Sequence, residues 1–321
     1  MISHSPANSL FTYGALSLAT GLLNRILMNK FFFDYPIVIL IMQMASTLCA
    51  MEIGRLLKLF KLQAYNFQRG KDMFLPSLFY SLASFFCLNS MDGITMPFFP
   101  FIYRFYPIGL VIINFYIFRK QRPSLQTLTV VILVCAGSAF ASAFELNLET
   151  WGIIGGVASA LMLASAMALI EKLQEQHGSA LDIIYMNSFN CLCVFLVADL
   201  IQDEIRDAFM YLVTSITPML VICLIFSIIA GVLCHAALIY CITNTSALNA
   251  AIVNSCASAL QVIVAFSLSI YLFYDLMPDW YNIGGIVFAV AGTIFYFLSD
   301  NKDALLKISS SSNRYMIVEK S

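Results

Sequence analysis

The sequence predicts an all-α polytopic membrane protein with ten transmembrane helices and both termini in the cytosol. Apolar residues make up 60% of the 321-residue chain and charged residues only 11%, a balance that ordinary soluble domains do not have. The apolar residues form ten runs, and about 20 such residues cross the hydrocarbon core of a bilayer as a helix. Basic residues gather in alternate loops between those runs, which indicates the orientation.

The apolar runs place the spans along the chain. The predicted spans are 9–29, 36–57, 73–91, 94–118, 124–143, 151–171, 181–201, 219–242, 246–274 and 280–298. With the N-terminus inside, thirteen of the seventeen Lys and Arg residues lie on the cytosolic side. Lys30 and Arg206 lie outside, whereas Arg25 and Arg104 fall within spans. Because short cytosolic loops carry an excess of Lys and Arg, this distribution favours the chosen orientation.

A pattern of residues recurs at the end of each half of the chain. Pro, twelve residues, Ala-Gly-Ser/Thr, one residue and Phe describe both 123–140 and 278–295, at an offset of 155 residues. We therefore predict two five-helix repeats, 1–145 and 146–300, followed by a disordered cytosolic tail, 301–321. Because five is odd, the second repeat runs through the membrane with opposite polarity. Secondary transporters often have this architecture and bind substrate near the midplane between the repeats.

The two arginines within the spans are the first candidates for a binding site. Arg104 lies near the middle of the fourth span, where a charge costs at least ~2.5 kcal/mol. One interpretation is a cation that binds an anionic ligand, because guanidinium matches phosphate in bidentate geometry. The alternatives are hydrogen bonds to backbone carbonyls loosened by the prolines of this span, or an ion pair with an acid. Arg25 follows Asn24 in the outer third of the first span, and snorkelling to the interface is its alternative role.

Neutral polar residues form two further candidate groups. In the ninth span the spacing i, i+4, i+7 places three of them on one stripe, with a fourth beside it: Asn254, Ser258, Gln261 and Ser255. The seventh span contains a second group: Tyr185, Asn187, Ser188 and Asn190. Such groups suit a base, a ribose or a sugar, and hydrogen bonding between helices is the other interpretation.

The charges within the predicted bundle indicate the class of ligand. The deep charges are positive and the carboxylates lie near span ends, which favours an anionic substrate and exchange over proton coupling. The spans contain no nucleophile–base pair, carboxylate pair or metal-ligand set, so we expect no enzyme, no catalytic residue, no metal and no cofactor. We expect the lipid bilayer as a partner and no nucleic acid, and a homodimer stays open.

Several short motifs follow one another along the chain: Asn24-Arg25, Tyr35-Pro36, Gln43, Tyr103-Arg104-Phe105, Arg119 to Ser124, Phe144-Glu145-Leu146, Tyr185-Met186-Asn187-Ser188 and Ser246-Ala247-Leu248. In this order they resemble the motifs of the nucleotide-sugar transporters of the drug/metabolite transporter superfamily. The resemblance covers nearly the whole chain, and the branch it resembles most holds the GDP-mannose carriers and the UDP-glucuronate/UDP-N-acetylgalactosamine carriers. Asn29-Lys30 is an alternative match to the first motif.

The resemblance implies an antiporter of the Golgi or ER membrane that brings a nucleotide-sugar into the lumen and returns a nucleoside monophosphate. It implies a phosphate site at Arg104 and Arg25, and contacts to base, ribose or sugar from the two neutral groups. One departure bears on the substrate: the family usually has a Lys or Arg in the ninth span, whereas 254–258 reads Asn-Ser-Cys-Ala-Ser. Losing a charge-assisted phosphate contact typically costs ~1.5–3 kcal/mol. A related carrier of another phosphorylated or organic anion, or a relative that does not transport, therefore stays open.

Overall fold

The computed structural model describes residues 6–89, 104–118, 123–141, 150–177, 179–269 and 279–318. All regular secondary structure in these ranges is α-helical, in eleven helices. They are α1 (Pro6–Phe31), α2 (Pro36–Leu56), α3 (Phe67–Asn89), α4 (Tyr106–Tyr116), α5 (Leu125–Ala141), α6 (Thr150–His177), α7 (Ala180–Gln202), α8 (Glu204–Ser215), α9 (Pro218–Asn244), α10 (Ala247–Ser269) and α11 (Trp280–Val318).

Six of the described helices contain a segment long and apolar enough to cross a membrane. These segments are Pro36–Leu56, Ile154–Gln174, Ala180–Gln202, Pro218–Asn244, Ala247–Val264 and Trp280–Ser299. Helices α4 and α5 are shorter and also apolar. The protein is therefore a helical, multi-pass membrane protein, while the ten-span topology, the sides of the termini and the division into two repeats stay predictions.

The largest departures of the helix bounds from the predicted spans are at α3, α6, α8 and α11. Helix α6 continues to His177, beyond the predicted end of its span at residue 171. Helix α8 lies in the segment 202–218, for which the sequence predicted a loop between two spans. Helix α3 begins at Phe67, before the predicted start of its span, and α11 continues to Val318, beyond the predicted end of its span. The length of an apolar run locates the segment that crosses the lipid, but the helix that contains this segment can extend beyond it into water. The first part of the fourth predicted span lies outside the described residues.

Helices from the first half of the chain pack against helices from the second half. Helix α1 packs against α9 and α10, and α6 packs against α3 and α4. Helix α2 packs against α7, and α5 packs against α11. Each of these contacts joins a helix before residue 145 to one after it. The buried core therefore lies between the two parts of the chain.

Glycines bring α5 and α11 into backbone contact. A Cβ on Gly285 would lie 2.4 Å from the backbone N of Ala141 and 2.7 Å from the carbonyl O of Gly137. A Cβ on Gly137 would lie 2.7 Å from the N of Ala289. Small residues at such positions let membrane helices approach closely and gain van der Waals contact. The two helices that carry the repeated sequence pattern thus pack directly on each other.

Helix α8 connects α7 to α9 and contacts the turn between α1 and α2. The Oε2 atom of Glu204 accepts a hydrogen bond from the backbone N–H of Ile37 at 2.9 Å, and so caps the N-terminal turn of α2. The hydroxyl of Tyr211 donates to the carbonyl of Phe31, and its ring lies 6.0 Å from that of Phe33. These contacts hold α8 to the α1–α2 turn.

Glu204 gives this contact a dependence on pH. Burial raises the pKa of Glu204, and the bonds from the backbone N–H groups of Ile37 and Val38 offset part of the rise. Since folding raises this pKa, the ionised form is penalised, and the wild type loses stability as pH rises above the ordinary range of a glutamate. Glu204→Gln keeps an acceptor without the charge. We expect the melting temperature of Glu204→Gln to rise relative to that of the wild type as the pH is raised from 4.5 to 7.

The matched variant Glu204→Ala separates charge from hydrogen bonding. It removes the acceptor for Ile37, so we expect it to melt below Glu204→Gln at every pH by the equivalent of about 1 kcal/mol. Equal melting curves for the two variants would contradict the capping role of Glu204.

Candidate functional site

Arg104 lies within the helical bundle, just before α4. Its side chain is 5% exposed. One terminal nitrogen, Nη1, donates to the carbonyl of Ser138 in the last turn of α5, and Nη2 donates to the carbonyl of Ser258 in α10 at 3.0 Å. The guanidinium therefore joins three helices. The structure brings Arg104 and Ser258 together, as the candidate site requires, through the backbone of Ser258.

A second positive charge lies near the first. The charges of Arg25 in α1 and Arg104 are close enough to repel each other. Arg104 forms no ion pair with a carboxylate of the described residues. Repulsion between two cations in a low-dielectric region favours the binding of an anion between or beside them.

The polar stripe of α10 faces α1 and α4. The hydroxyl of Ser17 in α1 donates to Oδ1 of Asn254, and the hydroxyl of Tyr106 in α4 donates to the carbonyl of Ala251 at 3.0 Å. One face of α1 carries Gly21, where a Cβ would lie 2.3 Å from Nε2 of Gln261. The predicted alignment of Asn254, Ser258 and Gln261 thus places them along a helix contact next to Arg104. Ser255, 1% exposed, has an Oγ without a hydrogen-bond partner among the described residues.

Asn24 lies in a separate polar contact one residue before Arg25. Its Oδ1 accepts a hydrogen bond from the hydroxyl of Ser227 in α9 at 2.6 Å, and Gln43 of α2 donates to the carbonyl of Ser227 at 3.3 Å. A Cβ on Gly231 would lie 2.2 Å from the amide of Gln43, so the glycine makes room for that side chain. These bonds join α1, α2 and α9 and orient the segment that carries Arg25.

The α7 candidates form a second polar group between α2, α3 and α9. Oδ1 of Asn187 accepts from the hydroxyl of Ser77 at 2.8 Å, and its Nδ2 lies 3.4 Å from Nε2 of His235. The hydroxyl of Tyr185 donates to Glu52 near the end of α2. Ser188 is fully buried, and its Oγ has no hydrogen-bond partner in the part of the chain that the structure describes.

A cavity of about 280 Å³ lies between α3, α6 and α7, at the predicted cytosolic ends of these helices. Met73 and Ile183 line it, and each lies one helical turn before a member of the Ser77–Asn187 hydrogen bond. The α7 group therefore borders an open crevice, whereas Arg104 lies deeper, between α4, α5 and α10. No hydrogen bond between described residues joins these two groups.

The predicted site is therefore divided. Arg104, Ser258 and Asn254 meet around α10, and Arg25 is in electrostatic range of Arg104. Tyr103 lies outside the described residues. Three participants were not predicted from the sequence: Ser17, Tyr106 and the carbonyl of Ser138. Helical spacing could have indicated Ser17 and Tyr106; Ser17, for example, lies between Gly14 and Gly21. The carbonyl of Ser138 is a backbone acceptor, and a backbone acceptor has no signal in the sequence.

Substitution of two buried polar residues should affect the unfolding free energy differently. Asn187→Ala leaves the hydroxyl of Ser77 and the ring of His235 without this partner, so we expect a loss of about 1–3 kcal/mol in unfolding free energy. Ser255→Ala removes an Oγ that has no partner, so we expect no loss of stability. Melting curves in detergent measure both, and a larger loss for Ser255→Ala would contradict this assignment.

The same fold occurs in a solved structure of unrelated sequence. A crystal structure superposes with a TM-score of 0.67 at 10% identity, and the match covers 92% of this chain and 96% of that chain. At this identity the likeness concerns the fold alone. The helical architecture, with two arginines inside the bundle, defines a polytopic membrane protein of a known fold.

The sequence places the chain in a family of transporters. The model of the Triose-phosphate Transporter family matches residues 8–297, and the chain belongs to this family. It is 25% identical to the UDP-galactose/UDP-glucose transporter 7 of Arabidopsis thaliana, over 89% of this chain and 87% of that protein. It is 23% identical to the UDP-sugar transporter sqv-7 of Caenorhabditis elegans, over 88% and 85%. The family and these relatives are transporters, not enzymes.

Proposed function

We propose that this protein exchanges a nucleotide-sugar for a nucleoside monophosphate across a Golgi or ER membrane. The observation that carries the proposal is the environment of Arg104: a buried guanidinium bonded to two carbonyls, paired with no carboxylate of the described residues, and close to Arg25. A guanidinium has five N–H donors, and these two bonds use two of them. Three donors are left for the phosphates of a ligand.

Neutral groups near Arg104 suit the remaining parts of such a ligand. Asn254 and Ser255 lie within one turn of Ser258 on α10 and offer hydrogen-bonding groups for a base, a ribose or a sugar. In the proposed site Arg104 and Arg25 bind phosphate, and Asn24, Tyr103, Asn254, Ser255 and Ser258 read the uncharged part. We propose Tyr185, Asn187 and Ser188 as contacts at the cytosolic entrance, because their group borders the crevice.

The packing pattern supports alternating access between two inverted repeats. Without α8, the helices in the described ranges number ten, and α1 to α5 correspond to α6, α7, α9, α10 and α11. Under this exchange the packing of α1 against α9 and α10 becomes the packing of α6 against α3 and α4. The α2–α7 and α5–α11 pairs map onto themselves. Such a pattern is expected when two repeats are related by an axis in the membrane plane.

The names of the relatives favour a UDP-sugar over GDP-mannose as the substrate. Both relatives named above are transporters of UDP-sugars, and each aligns with more than four fifths of this chain. Of the two carrier types that the sequence resembles, the one for UDP-linked sugars agrees with these names. The family match alone is compatible with the alternative, a carrier of another phosphorylated anion.

Uptake into vesicles reconstituted with the purified protein tests the proposal. A panel of UDP-sugars, GDP-mannose and triose phosphate distinguishes the substrate classes, and vesicles without protein give the background. We expect saturable uptake of at least one UDP-sugar. Uptake of triose phosphate alone would favour the alternative carrier, and uptake of none would contradict transport by this chain.

A further inference from the structure

The carbonyl that holds Arg104 lies in a helix turn that another side chain fixes. Ser138 belongs to the last four residues of α5, Leu125–Ala141, where helix carbonyls are commonly bonded by groups from outside the helix. Arg104 bonds the carbonyl of Ser138. Two other carbonyls of the same turn, those of Phe140 and Ala141, accept hydrogen bonds from Nδ2 of Asn282 at 3.1 and 3.4 Å. Two side chains thus cap one helix end.

Both the oxygen and the nitrogen of the Asn282 side-chain amide form hydrogen bonds. Asn282 is 2% exposed and lies in the first turn of α11. Its Oδ1 accepts from the backbone N–H of Asp279 at 3.0 Å, which is the reciprocal half of a capping box. One side chain therefore satisfies the start of α11 and the end of α5. Gly285 follows three residues later on the same face and packs against Ala141, so the two helix ends are held at a fixed distance.

We propose that Asn282 is a positioning residue for Arg104. By fixing the last turn of α5, Asn282 sets where the carbonyl of Ser138 lies, and that carbonyl sets the direction of the guanidinium. The part of this inference that concerns substrate rests on the proposed function: phosphates bind Arg104 best when the side chain is already held in place, because a preorganised donor loses less entropy on binding. The part that concerns Arg104 alone does not rest on it.

The reactivity of Arg104 toward phenylglyoxal, measured by mass spectrometry of its peptide, tests the inference without any substrate. Asn282→Ala removes the bonds to Phe140 and Ala141, and we expect Arg104 to react about tenfold faster. Arg25, which lies on α1, is the internal control and should keep its rate. Asn282→Ser keeps one donor and should give an intermediate rate, and it replaces the alanine variant if that variant does not fold.

Asn249→Ala is the matched control variant. Oδ1 of Asn249 accepts from the hydroxyl of Tyr296 at 2.9 Å, so this substitution also removes a side-chain bond of α11 but does not touch α5. We expect it to leave the rate at Arg104 unchanged. An unchanged rate in Asn282→Ala, or an equal rise at Arg25 or in Asn249→Ala, would overturn the inference.

A double-mutant cycle extends the test to the substrate. We expect Asn282→Ala to raise KM for the transported nucleotide-sugar about tenfold in the wild-type background and to change it less than twofold in Arg104→Lys. Equal effects in both backgrounds would overturn action through Arg104. If the wild type takes up no nucleotide-sugar, the proposed function fails, and the phenylglyoxal rates still decide whether Asn282 positions Arg104.

Discussion

Arg104→Ala is expected to lower uptake of the nucleotide-sugar at least about 100-fold while the protein stays folded. A charge-assisted hydrogen bond to a phosphate contributes ~1.5–3 kcal/mol, and a guanidinium can form two of them. The alanine variant lacks the three N–H donors that are not bonded to Ser138 and Ser258 in the wild type, and these are the donors that would bind the ligand. Arg104→Lys keeps the charge but not the planar fork, so we expect intermediate uptake.

Arg206→Ala is the control for this experiment. Arg206 is exposed on α8 and forms ion pairs with Asp203 and Asp207, so its removal changes the same formal charge far from the proposed site. We expect its uptake to equal that of the wild type, because exposed ion pairs contribute little. If Arg104→Ala transported as well as Arg206→Ala, Arg104 would have only the structural role of a cap for α5.

Gly285→Ala is expected to destabilise the protein more than any other single methyl addition tested on α11. The new Cβ would lie 2.4 Å from the backbone N of Ala141, and a backbone atom cannot rotate away as a side chain can. Helices α5 and α11 must therefore separate, at a cost of about 1–3 kcal/mol or more. The separation would also lengthen the hydrogen bonds from Asn282, so we expect lower uptake as well as a lower melting temperature.

The adjacent glycine provides a matched control. A Cβ on Gly284 meets no heavy atom within 4 Å, so Gly284→Ala adds the same methyl group to open space. We expect Gly284→Ala to melt at or slightly above the wild-type temperature, since alanine also favours the helix by up to about 1 kcal/mol. Melting curves that do not distinguish the two alanine variants would contradict the close packing of α5 and α11.

The sequence predicts the helices better than their ends. Long apolar runs are sufficient to locate the segments that cross lipid, since the bilayer imposes both their length and their composition. The same criterion missed α8, which mixes Ile205, Phe209 and Val213 with acidic residues and so lacks a continuous apolar run. An amphipathic helix has to be found by its periodicity instead.

The candidate site was predicted in part. Arg104, Ser258 and Asn254 are in one place, because a buried charge and a polar stripe on an apolar helix are costly enough to be informative. Tyr185 and Asn187, which the sequence predicts as contacts to a base, ribose or sugar, lie in a second group that contacts α2, α3 and α9. Which helices face one another depends on packing over the whole bundle, and spacing within a single helix does not encode it.

The absence of a cation from the α10 stripe changes how the phosphates would be held. The nucleotide-sugar transporters that the sequence resembles usually have a Lys or Arg in this span, and here α10 contributes Asn254, Ser255 and Ser258. Arg104 reaches across to the backbone of α10 at Ser258, and Arg25 of α1 lies within electrostatic range. Two arginines from the first half of the chain would then supply the positive charge that the family divides between both halves.

Trans-stimulation in reconstituted vesicles tests most directly whether an anion is exchanged at this pair of arginines. Vesicles are preloaded with UMP, with uridine or with buffer, and uptake of a labelled UDP-sugar is followed in the wild type. We predict that UMP accelerates uptake and that uridine, which has the same base and ribose but no phosphate, does not. Equal acceleration by uridine, or none by any nucleoside monophosphate, would contradict phosphate-dependent exchange.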